Sequence, residues 1–342
     1  MRIGLSKLFA VILLGTTLTA TACATADDVD DLGPADGGDG KADGTPTVKW
    51  DARIKNIVPK NVHNYLEKYQ WGDYHIMFHM TRRWYVIGTA GRSWLKRVGQ
   101  AAADVQEGDP GNGLEFLAMH RAMIQHLRTR WGSEPVKNNE DGRKTFGAVL
   151  DGWKTDDDVI AHLEKVGGDV EGFKAMAAKI NDFASFASED EFGLFLETSF
   201  RLVSATARTH KYRNDTTVGA GTHNWLHGQF TDPASPIDVG NPQTNLSNMR
   251  FWGIHGWIEA KWQAFEQFHQ RTGPESAQYQ AQLTRFLQHM QLHSDMLGAT
   301  RSPHVTSHPS RALAQTLAPF LFDNGADCDN LEAGTEMDGC TP

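Results

Sequence analysis

From about residue 46 to 322 the apolar positions recur every three or four residues, the spacing that gathers side chains on one face of an α-helix. Leu114, Leu117, His120, Ile124 and Leu127 fall on one such stripe, and Phe251, His255, Ile258, Trp262 and Phe265 on another. The pattern predicts a further helix over 189–208, carrying Phe192, Phe195, Phe200 and Leu202. Another is predicted over 276–297, carrying Tyr279, Leu283, Phe286 and Met290. No run of alternating β-branched residues is long enough to predict a sheet. Clusters of Gly, Pro and Asp at 107–113, 132–142, 231–246 and 301–310 predict loops. The expected fold is all-α, a helical bundle core with long loops.

Both stripes contain one titratable residue, a histidine, and burying an unpaired imidazole is costly. Each has an i,i+4 histidine pair upstream: His75 and His79 before His120, and His223 and His227 before His255. Such a pair puts two rings one helical turn apart, where they can grip one metal ion with a third ring from a facing helix. The expected ligands are therefore these six, in two sets of three. His289/His293 and His304/His308 repeat the spacing. Pro303 and Pro309 argue against a helix around the latter pair, and His293 continues an apolar stripe as a core residue would. His126 lies on a different face from His120. Ligation by imidazole without thiolate or carboxylate suits copper and also zinc. Three histidines and a water on zinc would make a hydrolase. Two sets face to face, with metals about 3.5–4 Å apart, could bind and reduce dioxygen.

The ends of the chain differ in character from the body. Residues 1–22 place Arg2 and Lys7 before an apolar run and then small residues, as an export signal does. Cleavage after Ala22 would leave Cys23 as a lipidated terminus; cleavage after Ala26 would release a secreted protein. The first is favoured, because residues 23–45, rich in Asp, Gly and Ala, read as a disordered acidic tether. The remaining 46–322 form one domain, and 323–342 an acidic tail in which Cys328 and Cys340 favour a local disulfide over two free thiols. The formal charge of −9 belongs to the ends, which leaves the body near neutral and without the basic face that nucleic acid requires. Membrane contact is expected only through a lipid on Cys23.

Around the histidines the chain resembles the type 3 (binuclear) copper proteins: tyrosinases, catechol oxidases and hemocyanins. His223-Asn224-Trp225-Leu226-His227 matches the opening of that family's second-copper motif. Phe251, His255, Glu259 and Trp262 match its continuation, with Glu259 for the usual Asp. His120-Arg121 matches the end of the first-copper motif in tyrosinases, and the tight His75/His79 pair is similar to the arthropod arrangement. Asn248 and Met249 replace the usual Asp-Pro, Ile254 the first of a usual His-His pair, and Met119 a usual Trp. No glutamate stands just upstream of His223 to hold a water with Asn224. The resemblance covers roughly residues 70–270. It implies two copper ions per chain between facing helices, dioxygen and a small phenolic molecule as substrates, and oxidation of phenols or ortho-diphenols to quinones. A dioxygen or copper carrier is the alternative. Asn224 is the implied catalytic residue, orienting a water or a neighbouring ligand; on its own it also reads as a helix cap. Trp225, Trp252 and Trp257 read as an aromatic substrate wall or as core.

Overall fold

The computed structural model describes residues 48–270, apart from 69–70, 85–86, 98–99, 138–139, 141, 198–199, 205–208 and 213–219. Ten α-helices run through them: α1 Lys60–Lys68, α2 Trp71–Arg82, α3 Gly88–Arg97, α4 Asn112–Trp131, α5 Phe146–Leu150, α6 Asp156–Val166, α7 Val170–Ile180, α8 Glu189–Glu197, α9 Thr222–Gln229 and α10 Met249–Phe268. The fold is an α-helical bundle, with α4 and α10 as its longest members at 20 residues each.

The expected helix over 189–208 is corrected. Helix α8 stops at Glu197, and Phe200 and Leu202 lie instead in β1, Phe200–Ser204, paired antiparallel with β2, Thr209–Tyr212. Thr198, Val203, Thr206 and Thr209 crowd this stretch with β-branched residues, which lose side-chain freedom in a helix and favour extended backbone. The hairpin is too short to show as periodicity. The predicted helix at 276–297 and the loop at 301–310 lie outside the described residues, as do the export signal, tether and tail.

The two longest helices that carry the site are each started by a specific polar contact. Helix α4 opens behind Gly111, whose φ of 97° only glycine adopts readily, and it is capped from another helix. Asp190 of α8 accepts the backbone N–H of Gly111 at 2.7 Å and of Leu114 at 3.0 Å. Gly113 and Gly193 let α4 and α8 cross backbone to backbone; a Cβ on Gly113 would overlap the Asp190 carbonyl oxygen. Helix α10 is capped by Asn248, whose Oδ1 accepts from the Arg250 N–H at 3.0 Å. Asn248 thus performs the capping that an aspartate at that position would.

Two apolar clusters hold the bundle. One joins Leu114, Leu117, Phe192, Leu196, Leu226, Trp257, Ile258, Trp262 and Phe265. The other joins Met119, Met123, Ile124, Leu127, Trp71, Phe78, Phe251 and Trp252. Both predicted stripes are therefore buried, with His120 and His255 among them. No helix among the described residues is long and apolar enough to cross a membrane.

Candidate metal centre

Four helices deliver the six predicted histidines to one place. Helix α2 supplies His75 and His79, α4 His120, α9 His223 and His227, and α10 His255. All six are between 0 and 3 % exposed. Burial takes away the water that would stabilise an imidazolium, so every ring is pushed below its ordinary pKa: His75 to about 3, His227 to about 4, and the other four well down. Mutual repulsion among the rings adds to this for His75, His79, His120, His223 and His255. The rings are neutral.

Their tautomers follow from what their outer nitrogens face. Nδ1–H of His120 donates to the Phe116 carbonyl at 2.9 Å, that of His255 to Phe251 at 2.8 Å, and that of His227 to Val239 at 2.8 Å. His75 faces the Pro242 carbonyl at 3.4 Å, and His223 donates to Asn224 Oδ1 at 2.9 Å. A carbonyl oxygen can only accept, so the proton of each neutral ring sits on Nδ1 and Nε2 carries a bare lone pair. Yet Nε2 of His75 lies 3.2 Å from Nε2 of His79, and Nε2 of His223 lies 3.1 Å from Nε2 of His255. In the second pair both rings hold their protons on Nδ1, so two lone pairs meet there and repel unless a cation stands between them; Nδ1 of His79 faces no carbonyl, so its Nε2–H can donate to His75. The buried Nε2 of His120 has no hydrogen-bond partner at all. Nitrogen donors converging on positive charge that the chain does not provide fit metal ions, and imidazoles fixed from behind by oxygen are how proteins present such ligands.

The partition into sets differs from expectation at one residue. Ligand atoms of His75, His79 and His120 lie within 4.8 Å of one another, as predicted. The second such group is His120, His223 and His255, so His120 belongs to both. His227 borders this group, its ring centroid 4.7 Å from that of His223 and 5.4 Å from that of His255. The site is a buried pair of three-histidine clusters sharing one member.

Phenylalanines line it. Phe251 stacks on His255 at 3.9 Å and meets the rings of His75 and His227 edge-on, while Phe116 lies edge-on to His120 and His223. Behind the histidines, Arg121 crosses from α4 to α10, donating to Glu259 at 2.8 Å and to Glu266 at 3.0 Å and lying over the Trp262 ring. The motif neighbours of the two lone histidines thus clamp the helices together.

The remaining candidates sort clearly. Asn224 is 3 % exposed and holds a neighbouring histidine; the α9 N-cap is Gly221. Trp252 and Trp257 are core, their indole N–H groups donating to the Leu246 carbonyl and to Asp156, and Trp225 packs against that core. Met119 and Ile254 are core as well. His126 is 2.8 Å from the Tyr65 hydroxyl, away from the cluster. His289, His293, His304, His308 and all three cysteines lie outside the described residues. Sequence reasoning missed two features. One is the contact of the predicted 231–246 loop with the site, where the Val239 and Pro242 carbonyls face His227 and His75; backbone groups leave no signature in side-chain patterns. The other is Glu197, 3.7 Å from His79 and 1 % exposed. Its burial pushes its carboxyl well above the usual range, and nearby Glu107 pushes the same way. An acid ending the apolar run Phe192–Leu196 was the available signal.

Comparison of the chain with protein-family models, with curated proteins and with solved structures finds no match.

Proposed function

We propose that the chain is a type 3 copper oxidase that oxidises ortho-diphenols, and more slowly monophenols, to quinones with dioxygen. The observation that carries this reading is the bare Nε2–Nε2 contact of His223 and His255, 3.1 Å, inside an all-imidazole cluster. Six imidazoles without a thiolate or carboxylate among them suit copper, and two three-histidine groups suit two ions. Copper bound there would supply reversible one-electron steps, so that two diphenols and one dioxygen yield two quinones and two waters. The chain's share is to fix the ligand nitrogens in advance through oxygens behind them and to exclude water with Phe116 and Phe251. Asn224 holds the Nδ1 proton of His223 and so aims its Nε2 inward.

The test is metal loading followed by turnover. Protein lacking residues 1–22 and loaded with Cu(I) without oxygen should retain two ions per chain. On admission of air it should develop an absorption band absent from the zinc form, and it should consume oxygen when a catechol is added. Retention of zinc with ester cleavage and no oxygen uptake would favour a hydrolase. We further propose that the chain is exported and held at a membrane by a lipid on Cys23, the acidic 23–45 segment acting as a tether.

A further inference from the structure

Glu197, the last residue of α8, is 1 % exposed and neither of its carboxyl oxygens has a hydrogen-bond partner. A buried polar group left in that condition destabilises the fold. The cations nearby are engaged elsewhere: the buried Arg83 grips Glu107 through a two-point contact, and Arg82 donates to Glu115 at 2.6 Å. Glu197 is the surplus acid of this group.

Its close neighbour is His79, with Oε1 3.7 Å from Nδ1. The Nδ1 atoms of the other five histidines each face an uncharged carbonyl or amide oxygen at 2.8–3.4 Å. His79 alone is backed by an acid. Its Nε2 points inward at His75, so the geometry runs carboxyl, Nδ1, Nε2, ligand position. A carboxyl group behind a ligating imidazole fixes the ring's orientation and raises its basicity. Closing the present gap by roughly 0.7 Å makes the contact an ordinary hydrogen bond.

We propose that Glu197 is a positioning residue for His79: it accepts a hydrogen bond from Nδ1–H of that ring and sets the aim and donor strength of Nε2 towards the ion shared with His75 and His120. The inference rests on the binuclear reading of the site, and it makes the two ions unequal. It also explains a buried group that weakens the metal-free fold.

The experiment compares the wild-type protein with Glu197→Leu and Glu197→Gln, by melting without metal and by Cu(I) titration against a chromophoric chelator. Glu197→Leu should lower the affinity for one of two ions by about 10- to 100-fold and leave the other unchanged. It should also raise the melting temperature of the metal-free protein by roughly 2–4 °C, since an apolar side chain replaces an unpartnered buried acid. Glu197→Gln, whose amide oxygen still accepts from Nδ1, should recover part of the affinity. Unchanged affinity for both ions in Glu197→Leu overturns the proposal. So does equal weakening of both ions with a lower metal-free melting temperature, the outcome of a merely structural role. A wild-type protein that retains no copper overturns the binuclear reading itself, and this proposal with it.

Discussion

The imidazoles of His120 and His255 stack with ring centroids 4.1 Å apart and planes 23° from parallel, joining the two long helices at the centre of the site. His120 is the member common to both three-histidine groups. With Nδ1–H held by the Phe116 carbonyl, its one free lone pair on Nε2 can serve one ion at a time. His120→Ala and His255→Ala should each retain about one copper per chain. His126→Ala, which removes contacts with Tyr65 and Trp71 away from the cluster, should keep two. Metal analysis after gel filtration checks all three.

Helix α10 is seated by a glycine contact next to His255. Gly152 has a φ of +70°, and a Cβ there would overlap the Cα of Gly256. Gly167 has the same φ with nothing within 4 Å. Gly167→Ala should thus cost about 1 kcal/mol, the backbone penalty alone. Gly152→Ala should cost more than about 2 kcal/mol and weaken copper retention, because α10 must move. Denaturant unfolding of the two variants separates backbone strain from the helix contact.

Acid should unfold the metal-free protein steeply. All six clustered histidines titrate lower in the fold than in the unfolded chain, where the ordinary value is 6.5. Below that value the unfolded state binds more protons, so stability present above pH 6.5 is lost as pH falls towards the folded values, about 4 for His227 and about 3 for His75. Each ring contributes a slope of up to about 1.4 kcal/mol per pH unit in that window. Copper competes with protons for the same nitrogens and should move the transition to lower pH. Circular dichroism against pH, with and without metal, reads both curves.

Asn224 faces His223 rather than standing as a cap, which directs its substitution to the metal. Asn224→Ala should weaken copper binding at the His223 side by about 10-fold and lower diphenol and monophenol turnover together. Wild-type protein should oxidise diphenols faster than monophenols, the latter with a lag, because only the monophenol reaction needs the substrate proton removed first. Oxygen uptake with paired substrates tests both statements. Reversible oxygen binding without turnover of either phenol class would assign the protein to the carriers.

Anchoring can be read directly by fractionation. Full-length protein should partition with membranes, and Cys23→Ser should release it. Deletion of residues 24–45 should leave turnover intact. Recovery of a soluble wild-type chain beginning at Asp27 would indicate ordinary secretion.

That the six histidines sit on helices and that both stripes are buried was legible in the sequence, because helix periodicity is local: an i,i+4 pair shares a face whatever else the chain does. Short, contextual elements were not. The hairpin at Phe200–Tyr212 is too brief for a periodic signal, and residues four positions apart in it read equally well as helix. Whether Trp252 and Trp257 form a wall or a core is a question of what faces them, and only packing answered it. The sharing of His120 between two groups, the Val239 and Pro242 carbonyls facing the rings, and the approach of Glu197 to His79 all join residues distant in the chain. Such relationships come from the angles at which helices cross. Those angles are set by contacts like Gly113 on Gly193 and Gly152 on Gly256, which sequence spacing does not encode.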